Sequence, residues 1–250
     1  MPNNLWLRAK WEERGLNPKA GSAVAALPPL GGFRRLYHLT DANYAISNIA
    51  FDRLKVARFS QLNDLFELLA PDLRNKNVRR IVRAHRERLD GEQGLLCFSA
   101  DWVIPPLWAH YGNRHRGVCL GFDVAERNVL DVKYQQARLK LANDISKIPP
   151  RVANQLARIK AKSWRYERES RVLVPLAEAF TEGEAYFKRF DSNLVLAEVI
   201  LGALCPLDVN EVREFVGQRH TGVSVFQARP AIRSFGMVPN GLTVLEMHPY

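Results

Sequence analysis

The chain has 250 residues, 47% of them hydrophobic and 25% charged, which excludes global disorder and fits one large domain or one domain with an appendage. Thirty-six Lys and Arg against 26 Asp and Glu give a net charge of +10, a field that attracts nucleic acid, phosphorylated ligands or anionic lipid. Cys97, Cys119 and Cys205 are widely spaced with no C-x-x-C pair, which argues against a disulfide framework or zinc cluster and for a reducing, cytoplasmic compartment.

Residues 1–32 read as a tail and linker: Trp6, Leu7 and Trp11 suit a short amphipathic helix, and GLNPKAGSAVAALPPLGG is rich in Gly, Pro and Ala. No apolar run approaches the ~18–20 residues of a membrane span, and the first residues lack the apolar core of a secretion signal, so no membrane partner is expected. Folding proper is expected from Phe33, with a main domain over 33–205 and residues 206–250 extending the same domain. RLYHLT reads as a strand, followed by a helix through DANYAISNIA capped by Thr40 or Asp41. LKVARFS is strand-like and QLNDLFE a polar turn. Residues 76–90 are a helix by period, with Val78, Ile81, Val82 and Leu89 inward and the arginines outward. GLLCFS reads as a buried strand, and DWVIPP as a break, its prolines excluding helix and ladder alike. LWAHYGN is a short helix and GVCLGFDV a second buried strand. Residues 151–163 are expected to form a basic helix, then SRVLVPL a strand and LVLAEVILGALC a long β-rich run. Asp208 or Asn210 starts the helix EVREFVGQRH, GVSVFQA is a strand, and FGMVPNGLTVLEM holds a final hairpin or strand around Asn240-Gly241. No period of 20–50 residues repeats, and the elements sum to an α+β protein.

Several sites are excluded by their missing motifs: the Walker phosphate loop, G-x-G-x-x-G after a strand, H-E-x-x-H and G-x-S-x-G. What remains is a set of polar residues inside apolar runs, where an unpartnered polar group costs about 1–3 kcal/mol and so asks for a reason. His38 and Thr40 interrupt LYHLT, Ser99 ends LLCFS, and Trp108, His110 and Tyr111 crowd one short helix. Glu167 and Glu169 stand in an arginine-rich segment before VLVPL, where they can simply neutralise Arg165, Arg168 and Arg171. Trp108 and Tyr111, at i and i+3, suit a packed core better than a base-stacking platform. Cations cluster in 71–90, seven against three acids, and in 151–171, seven against two.

LYHLT, FSQLNDLFE, LLCFS, LWAHYGNRHRGVCLGFD and WRYERESRVLVPL occur in that order across residues 36–205. The series resembles a widespread bacterial family of unknown function, whose usual pattern runs LYHYT, NDPFE, CFS, MWAHYA, GVCLGFD and W-x-YE-x-E-x-R. Leu65 departs from it by replacing a proline.

The same order is more loosely similar to the ADP-ribosyltransferase superfamily, with its histidine, tyrosine and glutamate on three core strands or their edges. That resemblance implies a split β-sheet core with flanking helices and NAD as co-substrate, with no metal. It gives Glu169 the stabilisation of an oxocarbenium-like centre, His38 and Thr40 the ribose, and Tyr111 or Phe98 the nicotinamide face. Ser99 and Trp108 would line the same site, and Arg58 or Arg114 would grip the pyrophosphate. Leu39 replaces the glycine of that superfamily's first motif, and Phe98 its strand tyrosine. The implied enzyme would be a toxin or antiphage effector modifying nucleic acid or protein. Arg79, Arg80, Arg83, Lys160, Lys162 and Arg165 would hold a nucleic-acid acceptor. Two other readings stand beside it: a non-catalytic basic module that binds nucleic acid or a nucleotide, and a metal-dependent nuclease using Asp64, Glu67 and Glu169.

Overall fold

The computed structural model describes residues 26–240; the expected helix around Trp6 and Trp11, and Gly241 of the terminal turn, lie outside the described residues. In chain order the elements are β1 (Phe33–Thr40), α1 (Ala42–Ala50), β2 (Arg53–Arg58), α2 (Lys76–Glu92), β3 (Gln93–Ser99), α3 (Pro105–His110) and β4 (Val118–Ala125). Then come β5 (Leu130–Asp131), β6 (Lys133–Gln135), α4 (Pro150–Leu156), β7 (Ile159–Ala161), β8 (Glu169–Pro175), β9 (Phe180–Glu182) and β10 (Ala185–Arg189). β11 (Leu194–Leu201), α5 (Val209–Gly217), β12 (Ser224–Pro230) and β13 (Met237–Pro239) complete the α+β chain. Among the described residues no helix is long and apolar enough to cross a membrane.

Local chemistry explains most boundaries. Asp41 caps α1 by accepting the Asn43 N–H at 2.9 Å, and Asp208 caps α5 by accepting from Asn210 and Glu211. Pro105 and Pro106, expected to exclude a helix, instead open α3, where the first turn needs no N–H and the proline φ is already helical. The expected basic helix over 151–163 stops at Leu156. The chain then extends as β7, which gains a parallel ladder with β6 (Lys133↔Ile159, Gln135↔Ala161) that a continued helix would forgo.

The chain forms two compact units, each built from separated segments. The first comprises residues 26–52, 99–127 and 190–240, with strands in the order β13-β12-β11-β4-β1. β11 and β12 are parallel, joined through α5, and the other neighbours are antiparallel. Every residue of β4 and of β11 is buried, so these apolar runs, each interrupted by one carboxylate (Asp123, Glu198), mark central strands covered on both faces. The second unit, 53–98 and 128–189, pairs β3-β2-β10-β9 antiparallel, with β8 against β3 and β5. There α2 lays Val78, Ile81 and Val82 onto Phe59, Leu68, Leu95, Ile148 and Leu156.

Candidate functional site

Two sequence segments far apart in the chain build a buried ionic network in the second unit. The first is the turn 63–67. Asp64 closes it by accepting the Phe66 N–H at 2.9 Å, and the Glu67 N–H donates to the Asp64 carbonyl at 3.1 Å. This closure sends Leu65 and Phe66 outward and Glu67 inward, where it is 1% exposed. The second is Lys162–Glu167, a 3-10 turn ended by Arg168 in the left-handed region at φ 45°. That reversal turns both Glu167 and Glu169 inward. Glu169 and Arg171, two apart on β8, then project from one face.

Arg171, fully buried, is the hub. Its two terminal nitrogens donate to the two Glu67 oxygens at 2.7 and 2.9 Å, its Nε donates to Glu169 Oε1 at 2.7 Å, and one terminal nitrogen also reaches the Ala157 carbonyl at 2.9 Å. Lys160 Nζ donates to Glu169 Oε2 at 2.8 Å and to Glu167, and sits 5.0 Å above the Trp164 ring. The Glu169 N–H donates to the Tyr134 hydroxyl at 2.7 Å. Burial pushes the Tyr134 phenol up to about 12. Burial also pushes Glu169 up, but Arg171 and then Lys160 more than offset it and hold the carboxyl below its ordinary range. Burial raises Glu67, Glu169 adds to the rise, and the opposing pull of Arg171 and then Lys160 does not offset it. Burial pulls Lys160 down, yet Glu169 and Glu167 hold its ammonium above the usual lysine value. Two cations thus stand among three carboxylates. The arrangement fixes β7, β8 and the 63–67 turn with charge-assisted bonds, and it leaves Glu169 with both oxygens engaged.

The expected site residues divide between the units. His38 and Thr40 lie on β1 in the first unit, on the strand face opposite Arg35 and Tyr37. Ser99 closes a local turn, its hydroxyl donating to the Asp101 carbonyl at 2.8 Å. Tyr111 ends α3, with its N–H on the Leu107 carbonyl. Arg114 is the middle one of three consecutive left-handed residues, Asn113, Arg114 and His115. Trp108, expected to line a ligand, is fully buried, and its indole N–H donates to the Trp102 carbonyl at 2.7 Å; it is core. In the second unit Phe98 is also core, and Arg58 pairs with Asp90. Lys160, expected on a nucleic-acid face, is 6% exposed inside the network, because the segment that carries it is a strand and not a solvated helix. Arg79, Arg80, Arg83, Lys162 and Arg165 are exposed. Asp64, Glu67 and Glu169 do not form a metal set: among the described residues no three His, Cys, Asp or Glu side chains could hold an ion. Glu67 and Glu169 are both held by Arg171 instead.

Sequence reading missed a second buried cluster, in the first unit. Arg35 on β1 pairs with Asp123 on β4 and lies 3.2 Å from Glu198 on β11. Tyr37 hydrogen-bonds Glu198 as well. Gly121 lies between them in the register, opposite both Tyr37 and Glu198. A Cβ there would sit 2.9 Å from Glu198 Cβ and 3.2 Å from Tyr37 Cε1, so only glycine lets the two side chains meet across β4. The available signal was the lone Glu198 inside LVLAEVIL and the glycine inside VCLGFDV.

Residues 107–172 match the family model described as "Protein of unknown function (DUF2971)". The matched segment runs from α3 into β8 and carries Tyr134, Lys160, Glu167, Glu169 and Arg171, so all of the network except Glu67 falls within it. No curated protein and no solved structure is matched.

Proposed function

We propose that this chain is a non-catalytic basic module that binds nucleic acid through α2 of the second unit. One observation carries the reading. From Lys76 to Arg86 the helix holds five cations, Lys76, Arg79, Arg80, Arg83 and Arg86, and no carboxylate. Its other side, Val78, Ile81, Val82 and His85, is buried. At about 1.5 Å per residue the outward cations make a stripe some ~15 Å long, the reach of several consecutive phosphates. Lys76, Arg79, Arg80 and Arg83 are exposed.

The ADP-ribosyltransferase-like reading, with its NAD co-substrate, asks Glu169 to accept a hydrogen bond from a ribose hydroxyl. Both Glu169 oxygens are already bonded to Arg171 and Lys160, which favours binding over transfer. The test is a salt titration of labelled oligonucleotide binding. Affinity should fall by orders of magnitude between about 50 and 200 mM salt, and Arg79→Ala, Arg80→Ala and Arg83→Ala together should reduce the salt slope by about 2–3. A flat salt response overturns the reading. Label passing from NAD to a lysate component with wild type, and vanishing with Glu169→Gln, would replace it with the transferase.

A further inference from the structure

We propose that a small cleft beside Phe66 takes one unstacked nucleobase, so that the polynucleotide bound along α2 is single-stranded. The inference rests on the binding reading above and adds the form of the partner.

The turn that buries Glu67 leaves two large apolar neighbours in solvent, Leu65 at 82% and Phe66 at 54% exposure. Phe66 forms one wall of a cleft of about 160 Å³, with Leu69, Gln135, Gln136, Arg138 and Lys160 among its other lining residues. That volume is below the roughly 300–1,000 Å³ of drug-sized pockets, and it suits a single planar ring system. The lining chemistry suits a base. The Phe66 ring offers an apolar face, and the Arg138 guanidinium lies 5.2 Å from its centroid. Gln135 and Gln136 carry carboxamides, each a donor and an acceptor for the edge of a heterocycle.

The cleft is built rigidly. Lys160 is tied by Glu167 and Glu169. Arg138 donates to the carbonyls of Leu69 and Pro71, and the Leu139 N–H donates to the Ala70 carbonyl at 2.9 Å. A preformed slot loses little freedom when a ring enters it.

The same stretch of chain leads into the cationic stripe. Arg138 grips residues 69–71, and Arg79 of α2 donates to the carbonyls of Leu73 and Arg74 at 2.7 and 2.9 Å. Five residues separate the Ala70 wall from Lys76 at the start of α2. Phosphate-gripping cations continuous with one aromatic platform are the features that hold single strands, whose base faces are exposed. In a duplex those faces are stacked, and the cleft has nothing to take.

Fluorescence anisotropy with single-stranded DNA, single-stranded RNA and duplex DNA of equal length tests this directly. Phe66→Ala should weaken both single strands about tenfold and leave the duplex unchanged, while Phe66→Tyr, which keeps the ring, should retain affinity. Because Phe66 is largely in solvent, the alanine variant leaves the core intact. Equal loss on single strand and duplex, or no loss on either, overturns the inference while the binding reading survives. If wild type binds no polynucleotide even at about 50 mM salt, the binding reading fails. The cleft is then judged by saturation-transfer NMR with AMP, GMP, CMP and UMP. A signal lost in Phe66→Ala supports it, and silence from all four overturns it.

Discussion

The two units each bury a group of charges, and they neutralise them in different ways. In the second unit Glu169 is bracketed by two cations, Arg171 and Lys160, whose attraction exceeds the cost of burial, so its carboxyl falls below the ordinary range. In the first unit one guanidinium, Arg35, serves both Asp123 and Glu198. Burial dominates there. Glu198 is raised despite Arg35 and the Tyr37 hydroxyl, with Asp123 adding to the rise. Similar burial therefore gives opposite titration at Glu169 and Glu198, because Glu169 bonds two cations directly and Glu198 has Arg35 only, with the Asp123 carboxylate beside it. The bracketed network is a rigid strut, while the under-neutralised cluster is a place where charge is held at a cost.

The sharpest way to break the contrast is Arg171→Met. It leaves Glu67 and Glu169 buried with Lys160 as the one remaining cation, and should destabilise the protein by about 3–5 kcal/mol in urea denaturation. Gly121→Ala attacks the other cluster through space rather than charge. The added methyl meets Glu198 Cβ at 2.9 Å, and a cost of about 1–3 kcal/mol is expected in the same measurement. A cost near zero would mean that β4 and β11 yield.

The smallest effects, in Glu198→Gln and Glu169→Gln, sharpen the comparison through pH. A carboxyl raised in the folded state binds its proton more tightly there than in the unfolded chain. Stability therefore falls as pH rises from the ordinary carboxylate pKa through the raised one, and Glu198→Gln should remove that fall. For Glu169 the sign reverses. Its contribution is complete above the ordinary carboxylate pKa and is lost as pH falls toward the depressed folded value, so Glu169→Gln should flatten the acid limb. Denaturation midpoints measured between about pH 3 and pH 8 would show slopes of opposite sign, and parallel slopes would contradict the account.

Much of the fold was legible because it depends on neighbours in sequence. The apolar runs VCLGFDVA and LVLAEVIL became central strands, and Asp41 and Asp208 capped the helices they precede. The period of residues 76–90 placed Val78, Ile81 and Val82 in the core and the arginines outside. The segment 151–163 was misread because its strand has no signal of its own: three residues, Ile159–Ala161, extend only because β6 offers a ladder. The candidate site was legible by residue type and not by role. Glu169 stood out as a carboxylate among arginines, but its partner Arg171 also binds Glu67, 104 positions away.

The amino-acid order alone thus determined the α+β character, the basic surface of α2 and the caps, since propensity, periodicity and net charge are properties of short segments or simple sums. The tertiary structure decided which charges are spent and which are available. Whether a buried carboxylate is a reagent or a strut depends on the cations within hydrogen-bond reach, and chain folding, not sequence spacing, puts them there.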